Sequence, residues 1–333
     1  MNIFRGLPAD ALNQPCALAI GNFDGVHRGH RALLDHVRQA AKERELISAV
    51  LTFTPHPRQY FALRAGRPDE APTTISSLRS KLNALSAACM DRAVLLRFND
   101  ALAGLTSDAF IEAVLVRGMN VKWLVVGEGF RFAKDRNGSI NDLLIAGKKY
   151  GFEVEIMPVV TDQSRRISSS DVREALKQND FGLAEKLLDM PYHISGHVIH
   201  GDKRGHSLGF PTANLPMRHF NPILSGVYIS CVHGLADNPL PAVSMIGTRP
   251  TVDETPRIVL ETHLLDFDKS CYGQLIHVEF LKKLRDNRKF SGLTALMEAI
   301  RQDVSTTRAF FQDAGNATRL SQKSRFDRIF SPE

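Results

Sequence analysis

The stretch Gly21-Asn22-Phe23-Asp24-Gly25-Val26-His27-Arg28-Gly29-His30 constrains the fold more than any other part of the chain. It follows a short apolar run, Ala17–Ile20, and leads into a segment from about Arg31 to Glu45. In that segment Leu33, Leu34, Val37, Ala40 and Ala41 recur at helical spacing. A buried strand, a glycine-bearing loop and an amphipathic helix, in that order, make a phosphate-facing corner of an α/β sheet. Free backbone N–H groups and the positive helix end point at a ligand there. Gly21, Gly25 and Gly29 permit the sharp turn and close approach that such a corner needs. His27 and His30, one turn apart, can donate hydrogen bonds to phosphate oxygens as charge develops. Metal ligation by the same pair competes with that reading, although no third ligand stands nearby in sequence.

The rest of the first half repeats the alternation. Ser48–Phe53, Ala93–Leu96, Trp123–Val126 and Phe152–Ile156 read as strands, with helical stretches around Leu78–Ala87, Ser107–Val116 and Asn141–Tyr150. Strand and helix in strict alternation predict a parallel sheet covered on both faces. A helical segment from Asp171 to Leu188 closes this half. After Met190-Pro191 the texture changes. Extended segments follow one another at His193–Ile199, Gly226–Val232, Ala242–Ile246, Ile258–Leu265 and Leu275–Phe280. That spacing predicts a small antiparallel β-barrel, followed by a helix from about Leu293 to Phe311. The expected division is a first domain over 1–188, a second over 189–313 and a polar, mobile tail over 314–333. A chain of 333 residues is also longer than one ordinary core accommodates.

Composition narrows the class. Apolar residues make up 43% and charged residues 23%, the balance of a globular chain rather than a disordered one. No apolar run approaches the ~18–20 residues that span a bilayer. Arg5, Pro8 and Asp10 interrupt the N-terminus where a signal peptide needs an unbroken apolar core. The expectation is a cytoplasmic protein with no membrane partner. Cys16, Cys89, Cys231 and Cys271 are far apart and form no CxxC pair, so zinc ligation and a disulfide framework both lack support. The 42 basic against 36 acidic residues leave a net charge of +6. That falls short of the dense basic stripe of a nucleic-acid binder and suits polyanionic substrates.

A second phosphate-binding candidate is Ile167-Ser168-Ser169-Ser170-Asp171-Val172-Arg173. Its hydroxyls and helix N–H groups can hold a triphosphate and Arg173 adds a fixed positive charge, while a plain serine N-cap accounts for the same letters. Thr52-Phe53-Thr54-Pro55-His56-Pro57-Arg58 ends the second strand, and Val126-Gly127-Glu128-Gly129-Phe130-Arg131-Phe132 ends a later one. A proline-braced loop with a surface histidine is the alternative for the first of these. The HxGH loop with the serine turn resembles the nucleotidyltransferase superfamily, in which a nucleophile attacks the α-phosphate of ATP and expels pyrophosphate. With the two strand-end segments, the set resembles the FMN adenylyltransferase half of the bacterial bifunctional riboflavin kinase/FAD synthetase family.

That resemblance implies a Rossmann-like nucleotidyltransferase domain. It implies that Gly21, Asn22, Phe23, Asp24, Gly25, Gly29, Ser168, Ser169 and Ser170 bind ATP. Pro55, His56, Pro57 and Arg58 would receive the flavin and its phosphate. His27, His30 and Arg173 would stabilise the transferring phosphate. Three positions depart from the family pattern: Gly129 where Asp or Asn is usual, Ala133 in place of glycine, and Ser170 in place of threonine.

In the second half, Gly196-His197-Val198-Ile199-His200-Gly201 leads into Gly205-His206-Ser207-Leu208-Gly209-Phe210-Pro211-Thr212-Ala213-Asn214. Loose glycines can cradle phosphate, and Pro-Thr-Ala-Asn alone also reads as a turn. Over Ile258–Phe267, a strand would put Glu261 and His263 on the face of Val259 and Leu265. A carboxylate there suits a general base for a hydroxyl, or a salt-bridged strand end. The LGFPTAN run resembles the riboflavin kinase module. Gly226-Val227-Tyr228, Gly247 to Thr251, Tyr272-Gly273 and Leu284-Arg285 through Lys289-Phe290 extend the resemblance to about residue 305.

It implies that Gly201, Gly205, Gly209, Phe210, Pro211, Thr212 and Asn214 bind ATP, that Thr212 and Asn214 hold Mg²⁺, and that Glu261 acts as base toward the riboflavin 5′-hydroxyl. His206 stands where the family commonly has Arg, and Met245 where it has Asn. The resemblance therefore implies ATP-dependent phosphorylation of riboflavin to FMN, then adenylylation of FMN to FAD. Riboflavin, FMN, FAD and ATP would be its small-molecule partners, with no nucleic acid. The departures leave two alternatives: one activity retained, or a flavin- and nucleotide-binding regulator without turnover.

Overall fold

The computed structural model describes residues 1–9, 12–158, 161–162, 165–201, 209–217, 221–249 and 257–321. Gly205 and His206 of the glycine-rich loop, and Pro250-Thr251 of one supporting match, lie outside the described residues. By packing the chain divides into two compact units, Met1–Pro72 with Leu82–Ser168 and Thr73–Lys81 with Ser169–Glu333.

In the first unit, β1 (Asn2–Arg5), β2 (Cys16–Ile20), β3 (Ile47–Thr54), β4 (Arg92–Arg97), β5 (Val121–Gly127) and β6 (Glu153–Met157) form one sheet in the order β1-β4-β3-β2-β5-β6. Every pairing is parallel. The alternation along β2 explains why it is buried throughout. Cys16, Leu18 and Ile20 enter one core with Leu51, Val94 and Leu124, while Ala17 and Ala19 enter the other with Leu34, Val37 and Trp123. The helix Arg28–Glu43 supplies Leu34, Val37, Ala40 and Ala41 to that second core. It starts three residues earlier than its apolar period suggests, because His27 caps it.

The chain steps outward from β2 through β3 to β4, then returns to place β5 on the other side of β2. Strand order reverses between β2 and β5, the place where open α/β sheets bind ligands at their carboxyl edge. A short ribbon of β7 (Thr161–Asp162) and β8 (Arg165–Arg166) precedes the end of this unit.

In the second unit the expected helical segment from Asp171 to Leu188 is two helices, Ser169–Lys177 and Phe181–Leu188. Asn179 turns left-handed at φ 57, and Asp180 restarts the helix by accepting the Leu183 N–H at 2.9 Å. Their Val172, Ala175, Leu176, Ala184 and Leu188 share a core with Ile194, Leu215, Tyr228 and Leu260.

Those last residues belong to an antiparallel barrel of β9 (His193–His197), β10 (Ala213–Pro216), β11 (Gly226–His233), β12 (Leu240–Arg249), β13 (Arg257–Leu264) and β14 (Leu275–Arg285). The strand order is β10-β13-β12-β11-β14-β9. The Ile199 N–H donates to the Asn214 carbonyl at 2.9 Å, which brings the first and last strands nearly to closure. Inside the barrel the hydroxyls of Ser230, Ser244 and Thr262 bond in series at 2.7 and 2.9 Å, so the buried polar groups satisfy one another.

The helix Leu293–Gln312 packs Phe311 on Ile229 and Cys231. Arg285 reaches it from β14 through a forked ion pair to Asp303, at 3.0 and 2.8 Å. The expectation of a mobile tail from residue 314 is corrected over its first part. Ala314–Ser321 is a helix, with Leu320 packed on that same cluster and Arg319 bonded to the buried Glu279 at 3.0 Å. Apolar and ionic anchoring outweigh a composition that reads as solvated. Among the described residues, no helix is long and apolar enough to cross a membrane.

Candidate functional site

β2 delivers the chain to the carboxyl edge of the sheet, at the point where strand order reverses. The Gly21 N–H donates to the Leu51 carbonyl at 3.1 Å and Thr52 Oγ1 to the Asn22 carbonyl at 3.2 Å, so β3 anchors the start of the loop. Phe23 and Val26 then take positive φ of 46 and 43. This left-handed backbone is costly for such residues, and strain of this kind collects at ligand-binding turns. Both side chains are fully buried in the core beneath, which holds the turn.

His27 Nδ1 accepts the His30 N–H at 3.3 Å, which leaves the proton of a neutral His27 ring on Nε2 as a donor. The rings of His27 and His30 stack with centroids 3.7 Å apart, and Phe23 backs His30 at 5.2 Å. Position 29 is tight: an added Cβ would lie 3.2 Å from the His27 ring and 3.3 Å from the Ile167 carbonyl. The backbone just ahead of the serine turn is thereby packed against the HxGH loop. Asp24 is buried nearby in the loop, and Asn22 Oδ1 is buried with no hydrogen-bond partner among the described residues.

The other two motifs end β3 and β5, the strands that flank β2 on either side, at the same edge. After β3, His56 Nδ1 accepts the Arg58 N–H at 3.2 Å and caps a helix, Pro57–Arg64, where the paired prolines also suggest a braced loop. Pro55 and Pro57 flank this cap, and Arg58 is exposed. Phe53, Tyr60 and Phe61 surround Phe98 at centroid distances of 5.8, 5.3 and 5.6 Å, an aromatic group that spacing did not reveal. After β5, nothing among the described residues lies within 4 Å of a Cβ placed on Gly129. Ala133 sits at φ 62, ψ −172, backbone that glycine alone adopts without cost.

The serine turn is divided by the packing. Ser168 ends the first unit, while Ser169, Ser170 and Arg173 lie on the helix Ser169–Lys177 of the second. Arg173 Nε donates to the Thr73 carbonyl at 2.8 Å, within that second unit.

On the barrel, β10 and β13 pair with Asn214 directly opposite Glu261, and β12 sets Met245 opposite Glu261 on the other side. Opposed residues of antiparallel strands share a face. Asn214, Glu261 and Met245 therefore stand in one row across three strands. Gly201 closes in on this row, since a Cβ there would fall onto the Asn214 carboxamide. Asn214 Nδ2 donates to the Thr212 carbonyl at 3.1 Å, which leaves Oδ1 as an acceptor. Gly209, at φ 81, turns the chain ahead of Phe210, Pro211 and Thr212.

The Thr212 hydroxyl and Asn214 Oδ1 are oxygen donors, the atom type that a hard cation such as Mg²⁺ takes. Among the described residues, no group of three or more His, Cys, Asp or Glu is arranged to hold a metal. Two residues here were not assigned a role from sequence. His263 Nδ1 bonds the Pro211 carbonyl at 2.8 Å, and Asn287 Nδ2 donates to the Ile246 carbonyl at 2.7 Å.

Known proteins match both halves in this order. The family model for FAD synthetase matches residues 9–171 and that for riboflavin kinase matches residues 188–311. The bifunctional riboflavin kinase/FMN adenylyltransferase of Escherichia coli (strain K12) is 42% identical over 313 residues, covering 93% of this chain and 98% of its own. Its counterpart in Haemophilus influenzae is 42% identical, over 93% of this chain and 99% of its own. Among solved structures, one described as a macrolide-efflux protein from Streptococcus pneumoniae is similar at a TM-score of 0.68 and 29% identity, over 92% of this chain and 98% of that one. The chain belongs to the bifunctional riboflavin kinase/FMN adenylyltransferase family.

Proposed function

We propose that the chain makes FAD from riboflavin in two ATP-dependent steps, kinase chemistry on the barrel and adenylyl transfer at the parallel sheet. In the first, the riboflavin 5′-oxygen attacks the γ-phosphorus of ATP, the bond from that phosphorus to the bridging oxygen breaks, and ADP leaves. Glu261 takes the hydroxyl proton. Thr212 and Asn214 would hold Mg²⁺, which when bound neutralises phosphate charge. The observation that carries this reading is the row that sets Asn214 opposite Glu261, with Gly201 against the Asn214 amide.

In the second step a phosphate oxygen of FMN attacks the α-phosphorus of ATP and pyrophosphate leaves, so no general base is required. His27 and His30 donate to phosphate oxygens where negative charge grows, and the loop from Gly21 to Gly29 receives the triphosphate. Pro55 to Arg58 meet the flavin phosphate. Family membership and the absence of a membrane-crossing helix among the described residues support a cytoplasmic role on small molecules. The test is product identity. Riboflavin with MgATP should release ADP, and FMN with MgATP should release pyrophosphate; a chain that binds flavin and releases neither is a binder, not this enzyme.

A further inference from the structure

His263 has no assigned role, yet it is the side chain that fastens the start of β10 to β13. It lies two residues beyond Glu261 on the same face of β13. Its Nδ1 is 2.8 Å from the Pro211 carbonyl, and its ring meets the edge of Phe210 at 5.5 Å and 82°. A carbonyl only accepts, so Nδ1 must carry a proton, and it does so in the neutral Nδ1 tautomer and in the cation alike. Pro211 immediately precedes Thr212, whose carbonyl takes the Asn214 amide. The chain of contact therefore runs from His263 through Pro211 and Thr212 to Asn214, which stands opposite Glu261. Gly209, at φ 81, begins this segment, so the His263 clamp is its first side-chain fastening to the neighbouring strand among the described residues. A histidine kept only for strand packing has no need of both contacts.

We infer that His263 is a positioning residue for the kinase step, holding Phe210 and Pro211 so that Thr212 and Asn214 meet the nucleotide phosphates in register with Glu261. The inference rests on the kinase reading above. It makes a distinction that a packing role does not. An asparagine at this position places its amide N–H where Nδ1 now lies, whereas a glutamine carries the amide one bond farther out.

The experiment measures FMN formation from riboflavin at varied MgATP for the full chain and for His263→Asn, His263→Gln and His263→Leu. FAD formation from supplied FMN, measured on the same samples, reports that each variant is folded. His263→Leu and His263→Gln should raise KM for MgATP about tenfold or more, with KM for riboflavin little changed, while His263→Asn stays within roughly threefold of the unsubstituted chain. Unchanged kinetics in His263→Leu, or equal losses in the Asn and Gln variants, would overturn the positioning role. Absence of FMN formation by the unsubstituted chain is a different failure, which would remove the kinase reading and this inference with it.

Discussion

Asn214 on β10 stands directly opposite Glu261 on β13, and a Cβ on Gly201 would strike the Asn214 amide. Neighbours this close tie a would-be general base to a would-be metal and phosphate ligand through strand register alone. Register in a barrel is stiff, because a slip of one strand by one residue would turn its side chain to the other face and part the pair. Glu261→Gln should therefore lower FMN formation at least about a thousandfold while leaving the fold intact. FAD formation from supplied FMN should continue. His30→Ala should do the reverse and accumulate FMN. Chromatography of flavins from both variants reads the outcome, and loss of both activities in each folded variant would contradict two separable sites.

Ala133 predicts a gain rather than a loss. It occupies φ 62, ψ −172, where an L side chain is strained. Ala133→Gly should stabilise the first unit by about 1 kcal/mol, since relief of strain exceeds the extra entropy that glycine brings to the unfolded chain. The midpoint of urea unfolding followed through Trp123, the single tryptophan, is the measurement. A lower midpoint would mean that the backbone is not strained in solution.

How much of this was legible beforehand depends on the kind of signal. The HxGH loop announced its strand and its helix, because glycines and polar residues interrupt an otherwise periodic pattern. The β9–β14 barrel was legible from strand spacing, and its row of Asn214, Glu261 and Met245 was not, because register is a relation between strands. The break at Asn179 was hidden because both flanking segments are helical and asparagine tolerates a left-handed turn. The helix Ala314–Ser321 was hidden because its anchors, Leu320 and Arg319, are two residues in a polar stretch. From sequence His263 reads as a strand residue on the face of Glu261, Val259 and Leu265, and the contacts with the Pro211 carbonyl and Phe210 give it a task.

Arg319 makes that tail helix testable. Glu279 is buried and accepts from Arg319 Nη1 at 3.0 Å on one oxygen and lies 2.9 Å from His233 Nε2 on the other. Arg319→Met removes one of two partners of a buried carboxylate, while the guanidinium itself is half in solvent. The expected cost to the barrel is about 1–2 kcal/mol, below that of breaking a fully buried pair. Hydrogen exchange on β11 and β14 should quicken in the variant. Exchange at the unsubstituted rate would show that the helix contributes nothing to the barrel.

Two buried histidines set the response to acid. Burial pushes His193 down to about 4 and His277 down to about 3, and for His277 the neighbouring His193 and His233 push the same way. An unfolded chain takes up these protons near pH 6.5. Between that pH and the folded values the unfolded state binds more protons, so stability is present above about pH 6.5 and falls as pH drops toward 4. The slope is about 1.4 kcal/mol per pH unit for each group. Barrel hydrogen exchange at pH 7.5 and pH 5.0, corrected for intrinsic rates, should show the loss, and His277→Gln should make it shallower. The same dependence in that variant would place the acid response elsewhere.

The most direct measurement is a time course of the purified chain with riboflavin and MgATP, separating riboflavin, FMN and FAD. The account predicts a transient of FMN followed by FAD, with ADP and pyrophosphate released in step. Bound riboflavin that stays riboflavin, together with supplied FMN that stays FMN, would contradict it.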